Sequence, residues 1–223
     1  MRFQDAALDG RAVVYAGIQA DPLVSRLAGL LADATPAERW MARAVMNGER
    51  TEADGWRRML PAVFASAAPA ARERAESILA ASLDVANRGE SSRSQYRGAV
   101  VEELTQQLLA RAAAGRVPVR RERRVLFDGV RAEIHPYDVT VESDERPEVY
   151  DCKWGARGIN ADVLNQLDDA RAHAADEDVA LRVALVIFDA RRSCELRLER
   201  STANRSGTRL VALEDVDGLG AAR

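Results

Sequence analysis

Val149-Tyr150-Asp151-Cys152-Lys153-Trp154 holds the residues best suited to chemistry. Lys153 is the single lysine of the chain, against 31 arginines. Where arginine serves nearly every need for positive charge, a retained ammonium points to something a guanidinium cannot do. An ammonium is compact and its pKa shifts readily, whereas the guanidinium is broad and stays charged. Asp151 stands two residues before Lys153, and Asp138 thirteen before Asp151. Two carboxylates held together repel unless one takes a proton or both bind a cation. Oxygen-only ligands of this kind suit magnesium or manganese, completed by water and a substrate phosphate. Asp-x-Lys alone is a weak pattern, so its weight depends on what converges with it.

The elements that must position these groups follow from alternation. Glu148 to Trp154 reads as a strand in which Val149, Asp151 and Lys153 share one face and Tyr150, Cys152 and Trp154 the other. The Cys152 thiol therefore turns toward a core and gains no chemical role. In Asp138-Val139-Thr140-Val141, Asp138 and Thr140 point one way and the valines the other. Pairing of the two strands across a turn at 143–147 brings Asp138 and Asp151 to one spot. Upstream, Tyr96 to about Ala114 reads as a helix ended by Gly115, with Val101, Leu104, Leu108 and Ala112 on its buried side. Glu102 lies beside that stripe as a third acid able to look toward the sheet, while Glu103 faces solvent. Gly98, one turn earlier, leaves room for close approach of the sheet or of a phosphate.

Composition bounds the remaining classes. The 223 residues are 47% hydrophobic and 30% charged, ordinary values for a globular chain with a real core. No apolar run is long enough for a transmembrane helix, and the first residues lack the apolar stretch of a signal peptide. With two cysteines, Cys152 and Cys194, there is no disulfide framework, and a cytoplasmic setting is expected. Two histidines, His135 and His173, without closely spaced Cys or His pairs, argue against zinc. The net charge of −3 excludes a uniformly basic coat, yet residues 111–131 carry seven arginines against Glu122 and Asp128. That excess can meet a phosphate backbone through Arg120, Arg121, Arg123, Arg124 and Arg131. It can equally be the charged guard of an edge strand.

Residues 1–88 read as an alanine-rich helical domain of unassigned role, with Trp40, Trp56 and Phe64 in its core. Residues 11–16 fit a strand or a helix start. Asp21-Pro22 and Thr35-Pro36-Ala37-Glu38 open helices, and Pro61 is placed to kink another. The polar run 87–94 reads as a linker, so the second domain is 89–223. There the order is helix; strand 117–127; a hairpin turn at Asp128-Gly129; strand 130–134; the Asp138 strand; the Lys153 strand; helix 160–175; strand 181–188; and short strands at 194–198 and 210–213. This predicts an α+β (α/β) domain with a mixed sheet flanked by helices.

The order of a helix with Gly98-x-x-x-Glu102, a strand with Asp138, then Asp151-x-Lys153 and a helix resembles the PD-(D/E)xK nuclease superfamily over roughly residues 95–190. Pro136 lies two residues before the first acid, where the family usually has its proline adjacent. The resemblance implies a restriction-endonuclease-like fold and an Mg²⁺- or Mn²⁺-dependent endonuclease or exonuclease. In that reading the metal is held by Asp138, Asp151 and the Cys152 carbonyl, with Glu102 acting directly or through water. Lys153 would orient the attacking water, help it lose a proton, or stabilise charge developing on phosphorus. Gln166 matches a glutamine found after the lysine strand in several subfamilies. The implied partner is DNA, with RNA left open. Cutting both strands calls for a homodimer, and a place in a larger defence or repair complex is consistent with the unassigned helices. The alternative is a nucleic-acid-binding or assembly module that cuts nothing.

Overall fold

A computed structural model describes the chain except for residues 7–9, 49–51, 66–67, 132–134, 204–206 and 220–223; for 10–12 and 131 it describes the backbone only. The chain divides into a helical unit, 10–104, and a sheet unit, 1–9 with 105–223. This differs from a boundary at 88/89, and the reason is the helix that carries it. Residues 90–94, read as linker, form the first turns of a single helix α7, Glu90–Ala113. Only 87–89 separate α7 from the preceding helix.

In the helical unit, α1 is Gly10–Gln19, α2 Pro22–Ala32, α3 Pro36–Asn47, α4 Ala53–Met59, α5 Pro61–Phe64 and α6 Pro69–Ala86. The 11–16 stretch is thus helical. Asp21 caps α2 by accepting from the Leu23 amide at 2.8 Å, with proline at the first helical position. Thr35 and Glu38 form a reciprocal capping box at the start of α3. Pro61 splits its helix into α4 and α5, since it lacks the N–H that a continuous helix would use. The core is aliphatic, with Leu27, Leu31, Met41, Val45, Ile78 and Leu79 fully buried. Trp40, Trp56 and Phe64, expected in that core, are only half-buried.

The sheet unit contains β1 Arg2–Asp5, β2 Val119–Phe127, β3 Val130–Arg131, β4 Tyr137–Val141, β5 Glu148–Lys153, β6 Arg182–Ile187 and β7 Thr208–Val211. Its strand order is β1-β2-β4-β5-β6-β7, with β3 paired to β2. The β5–β6 and β6–β7 pairs are parallel and the rest antiparallel, so the sheet is mixed, as predicted. Asp128 (φ 47°) and Gly129 (φ 79°) make the tight β2–β3 turn, both left-handed as a two-residue hairpin requires. Of the strand expected over 130–134, residues 132–134 lie outside the described set. The strand β1 had no signal in the sequence reading.

Two helices serve as crossovers. α8, Ala161–Asp176, joins β5 to β6, opened by Asn160 accepting from the Val163 amide at 3.0 Å. α9, Arg191–Glu199, joins β6 to β7. The 194–198 segment is therefore helix and not strand: two parallel strands need a long connection, and Cys194 and Leu198, four apart, lie on one helical face. Leu164, Leu167 and Ala170 of α8 pack with Val149, Leu185 and Ile187 of the sheet. From Thr105 onward α7 lies against the other face, where Thr105 and Cys152 meet.

Candidate active site at the end of the β4–β5 ladder

β4 and β5 place the two acids. Their antiparallel register pairs Val141 with Glu148, Thr140 with Val149 and Val139 with Tyr150. The ladder ends there, and Asp138 and Asp151 follow at its open end, both within reach of the Lys153 ammonium. Asp138 Oδ2 accepts the backbone N–H of Cys152 at 2.6 Å, so the carboxylate is tied to the strand that carries Asp151. On its other side the β2–β4 register runs through Arg121↔Val139 and Arg123↔Tyr137. The level between them, that of Asp138, belongs to Glu122, whose φ of 53° is an uncommon conformation for a non-glycine residue.

Lys153 closes the group. Its ammonium is 3.6 Å from Asp138 Oδ2 and forms an ion pair with Asp151 Oδ1. Asp151 is buried, and the Lys153 side chain keeps 29% of its surface exposed, leaving an approach from solvent. Burial works against the charge on Lys153, but Asp138 and Asp151 outweigh it and hold its pKa above the ordinary value of 10.5. The lysine is an ammonium throughout the neutral range. Its chemistry in this state is to supply positive charge and hydrogen-bond donors.

The supporting residues come from three places. After β5 the chain makes a tight turn over 156–158, in which the Ala156 amide donates to Asp189 at 2.9 Å and Arg197 donates to the Ile159 carbonyl at 3.0 Å. This turn lays Gly158 against the Lys153 stem. Gln166, matched to a glutamine of several nuclease subfamilies, is buried. Its Oε1 accepts from the His135 N–H at 3.2 Å and its Nε2 donates to the His135 carbonyl at 3.1 Å. It thus grips the backbone at the entrance to β4, three residues before Asp138. The Cys152 thiol faces Thr105 Oγ1 at 3.6 Å, on the side of the sheet away from Lys153. Gly158 was missed because nothing in a lone glycine between arginine and isoleucine marks a close approach.

Other expected site residues are placed differently. Glu102 belongs to the helical unit, where its Oε1 accepts from Tyr15 and its Oε2 from Gln19 at 2.7 Å. Both oxygens of this buried carboxylate are therefore satisfied by α1, in place of the cation expected there. Gly98 serves the same helix pair: a methyl group built on it would meet Tyr15 Oη at 3.0 Å. Arg123, expected on a nucleic-acid surface, is buried between Glu142, 2.7 Å from its Nε, and Asp5. A guanidinium so engaged is part of the fold. Arg120 is exposed, with Glu142 at 3.7 Å, while Arg121 and Arg124 are half-buried. Arg131 lies on β3, its side chain outside the described set.

The donor set bears on a metal. Among the described residues no group of three or more His, Cys, Asp or Glu is placed to hold an ion. Magnesium, however, is commonly held by one or two carboxylates while keeping several waters and binding substrate phosphate. Asp138 and Asp151 fit that mode, with the Cys152 carbonyl beside them in the strand. Lys153 engages both carboxylates, so cation binding and the lysine contacts compete for the same oxygens.

No protein-family model matches the chain, and no curated protein matches it in sequence. Among solved structures it is similar to protein VC1899 from Vibrio cholerae, at 17% identity and a TM-score of 0.49. The match covers 99% of this chain and 57% of that one, so the chain spans little more than half the length of VC1899. No functional argument follows from a likeness at that level. No helix among the described residues is long and apolar enough to cross a membrane.

Proposed function

We propose that the sheet unit is a metal-dependent phosphodiester hydrolase, a nuclease with DNA as its first-choice substrate. The observation that carries this reading is the Lys153 ammonium set against Asp138 and Asp151 at the end of the β4–β5 ladder. The resemblance of the Asp138…Asp151-x-Lys153 order to PD-(D/E)xK nucleases supports it. Asp138, Asp151 and the Cys152 carbonyl would hold Mg²⁺ or Mn²⁺. A bound ion of this class acts as a Lewis acid on phosphate and lowers the pKa of its water. Glu102 is left out of the set, because its carboxylate is engaged in the helical unit.

The role of Lys153 is narrowed by its protonation. In the reaction a water oxygen bonds to phosphorus and gives up a proton to solvent, the bond from phosphorus to the leaving oxygen breaks and that oxygen takes a proton from solvent, and negative charge builds on the phosphoryl oxygens between. As an ammonium, Lys153 would not accept the proton of that water. It can donate hydrogen bonds to the developing charge, in a site where such donors are worth more than in water. Before an ion binds, Asp138 and Asp151 keep it oriented, Asp138 being fixed in turn by the Cys152 amide. Exposed Arg120 would contribute to backbone binding.

The test is cleavage of duplex DNA, single-stranded DNA and RNA with Mg²⁺, Mn²⁺ or chelator, with Lys153→Ala as control. Metal-dependent cleavage of at least one substrate is expected. Lys153→Ala should lower it by about 10²-fold or more, the scale for losing a charge-stabilising donor, while still taking up Mn²⁺. Undiminished cleavage by Lys153→Ala would overturn the site. DNA binding with neither metal uptake nor cleavage would replace the hydrolase by a binding module.

A further inference from the structure

The helical unit carries a cavity of about 710 Å³ lined by Asn47, Arg88, Glu90, Arg93 and Arg97 together with the end of α6. Among the described residues its lining carries three guanidinium groups against one carboxylate, a net positive charge. Two of the arginines are drawn inward: the side chains of Arg93 and Arg97 are only 12% and 11% exposed. Holding like charges together away from water is costly unless an anion compensates them.

Part of their hydrogen-bonding capacity serves the fold. Arg97 Nε donates to the Met46 carbonyl and Arg93 Nη1 to the Gly48 carbonyl, each at 2.8 Å, closing the end of α3. Arg88 stacks over the Tyr96 ring at 3.9 Å and approaches Asp21 Oδ2 at 3.7 Å. Two donors stand apart: Arg88 Nε and Arg93 Nε are buried and have no hydrogen-bond partner among the described residues, a costly condition for charged donors. Burial first, and then the neighbouring Arg93, also push the Arg97 pKa down.

Glu90 is the telling residue. It opens α7, pairs with Arg93, and lies 3.7 Å from Arg97, yet its own side chain is 66% exposed. An exposed carboxylate thus occupies the place that an anion would take between two inward-facing arginines. Oxygen-rich anions are matched by the forked donors of arginine, and the start of a long helix adds its own preference for negative charge. With Asp21 near Arg88, two carboxylates stand against three arginines, which leaves one positive charge over.

We propose that this cavity binds a phosphate group, with Arg88, Arg93 and Arg97 as its donors and Glu90 as a resident placeholder that the phosphate displaces. The phosphate belongs to a nucleic-acid strand or to a free polyphosphate, both of which present the same chemistry. The inference does not depend on the hydrolase reading, since every residue in it lies in the helical unit.

The experiment is calorimetric titration of the full chain in chelator with three probes: inorganic pyrophosphate, a short single-stranded DNA bearing a 5′-phosphate, and the same strand with a 5′-hydroxyl. Saturable binding of at least one probe is expected. Glu90→Gln should tighten it several-fold, and Arg93→Gln should weaken it about tenfold, close to the solvent-screened value for one unit-charge contact. Pyrophosphate binding tighter than either strand identifies a free polyphosphate. Preference for the 5′-phosphate strand identifies a strand end, and equal binding of both strands the backbone. Absence of saturable binding by all three overturns the proposal, as does one affinity shared by wild type, Glu90→Gln and Arg93→Gln. If Arg93→Gln unfolds, Glu90→Gln decides alone, because removing an exposed carboxylate can tighten binding only if the cavity takes an anion.

Discussion

Gly158 lies against the stem of Lys153: a methyl group on Gly158 would stand 2.8 Å from both Cβ and Cγ of the lysine. No Cβ sits that close to its neighbours without movement, and these are the lysine atoms nearest its backbone, which cannot swing aside. Gly158→Ala should displace the ammonium from Asp138 and Asp151 while leaving the acids in place. Misplacement of about 1 Å in a catalytic group costs up to about 10²-fold. The expected outcome is a fall in kcat of about 10-fold to 10²-fold with KM unchanged and the circular dichroism spectrum intact. A variant with wild-type kcat would remove Gly158 from any role.

Gln166 links α8 to the backbone at His135 by two hydrogen bonds from a buried amide. Gln166→Ala leaves the His135 N–H and carbonyl without those partners, at about 1–3 kcal/mol. For a chain of this size that corresponds to a fall in Tm of about 2–12 °C, at about 2–4 °C per kcal/mol. Differential scanning calorimetry provides the check. An unchanged Tm would show that water replaces the amide and that β4 is not held from α8.

Arg123 and Arg120 separate fold from binding although they stand three apart on β2. Arg123→Met strips Glu142 and Asp5 of their buried partner. The cost should be about 1–3 kcal/mol, below that of a fully buried pair because Asp5 is exposed. Arg120→Gln should leave stability unchanged, weaken DNA binding, and reduce the salt slope by about 1. Urea midpoints and binding isotherms at several salt concentrations distinguish the two. Equal destabilisation by both substitutions would contradict the assignment.

Acid stability in the helical unit should depend on Asp21. The Tyr96 hydroxyl, the Leu23 amide and the Arg88 charge all hold its pKa below 3.8. A carboxyl whose pKa is lower folded than unfolded adds stability above its unfolded pKa and loses it as pH falls through the folded value. Asp21→Asn preserves the helix cap and removes the charge. It should therefore be less stable than wild type at neutral pH and indistinguishable from it well below pH 3.8. Urea unfolding followed by circular dichroism at the two pH values is the measurement. A pH-independent difference would assign the effect to the cap alone.

What could be read before folding were the features encoded locally. Period-two alternation separated Asp151 and Lys153 from Cys152, and the thiol does meet Thr105 on the opposite face. Capping residues marked the starts of α2 and α3, and Asp128-Gly129 marked the hairpin, because backbone geometry at those points depends on one or two side chains. The convergence of Asp138 and Asp151 was also accessible, and both reach Lys153, since a short turn between two alternating strands nearly dictates their register.

The rest depends on contacts between residues distant in sequence. Glu102 is engaged by Tyr15 and Gln19, more than eighty positions away, and a helical wheel says which way a side chain points without saying what it meets. Arg123 looked like its exposed arginine neighbours until β1, from the far end of the chain, brought Asp5 beside it. The pattern of 194–198 suited a strand, but the parallel arrangement of β6 and β7 required the longer connection of a helix. Gly158 is an ordinary glycine in the sequence, and only the folded turn after β5 brings it against Lys153. Local preference sets periodicity, caps and turns; the partner of each buried charge is chosen by packing, which no window of sequence contains.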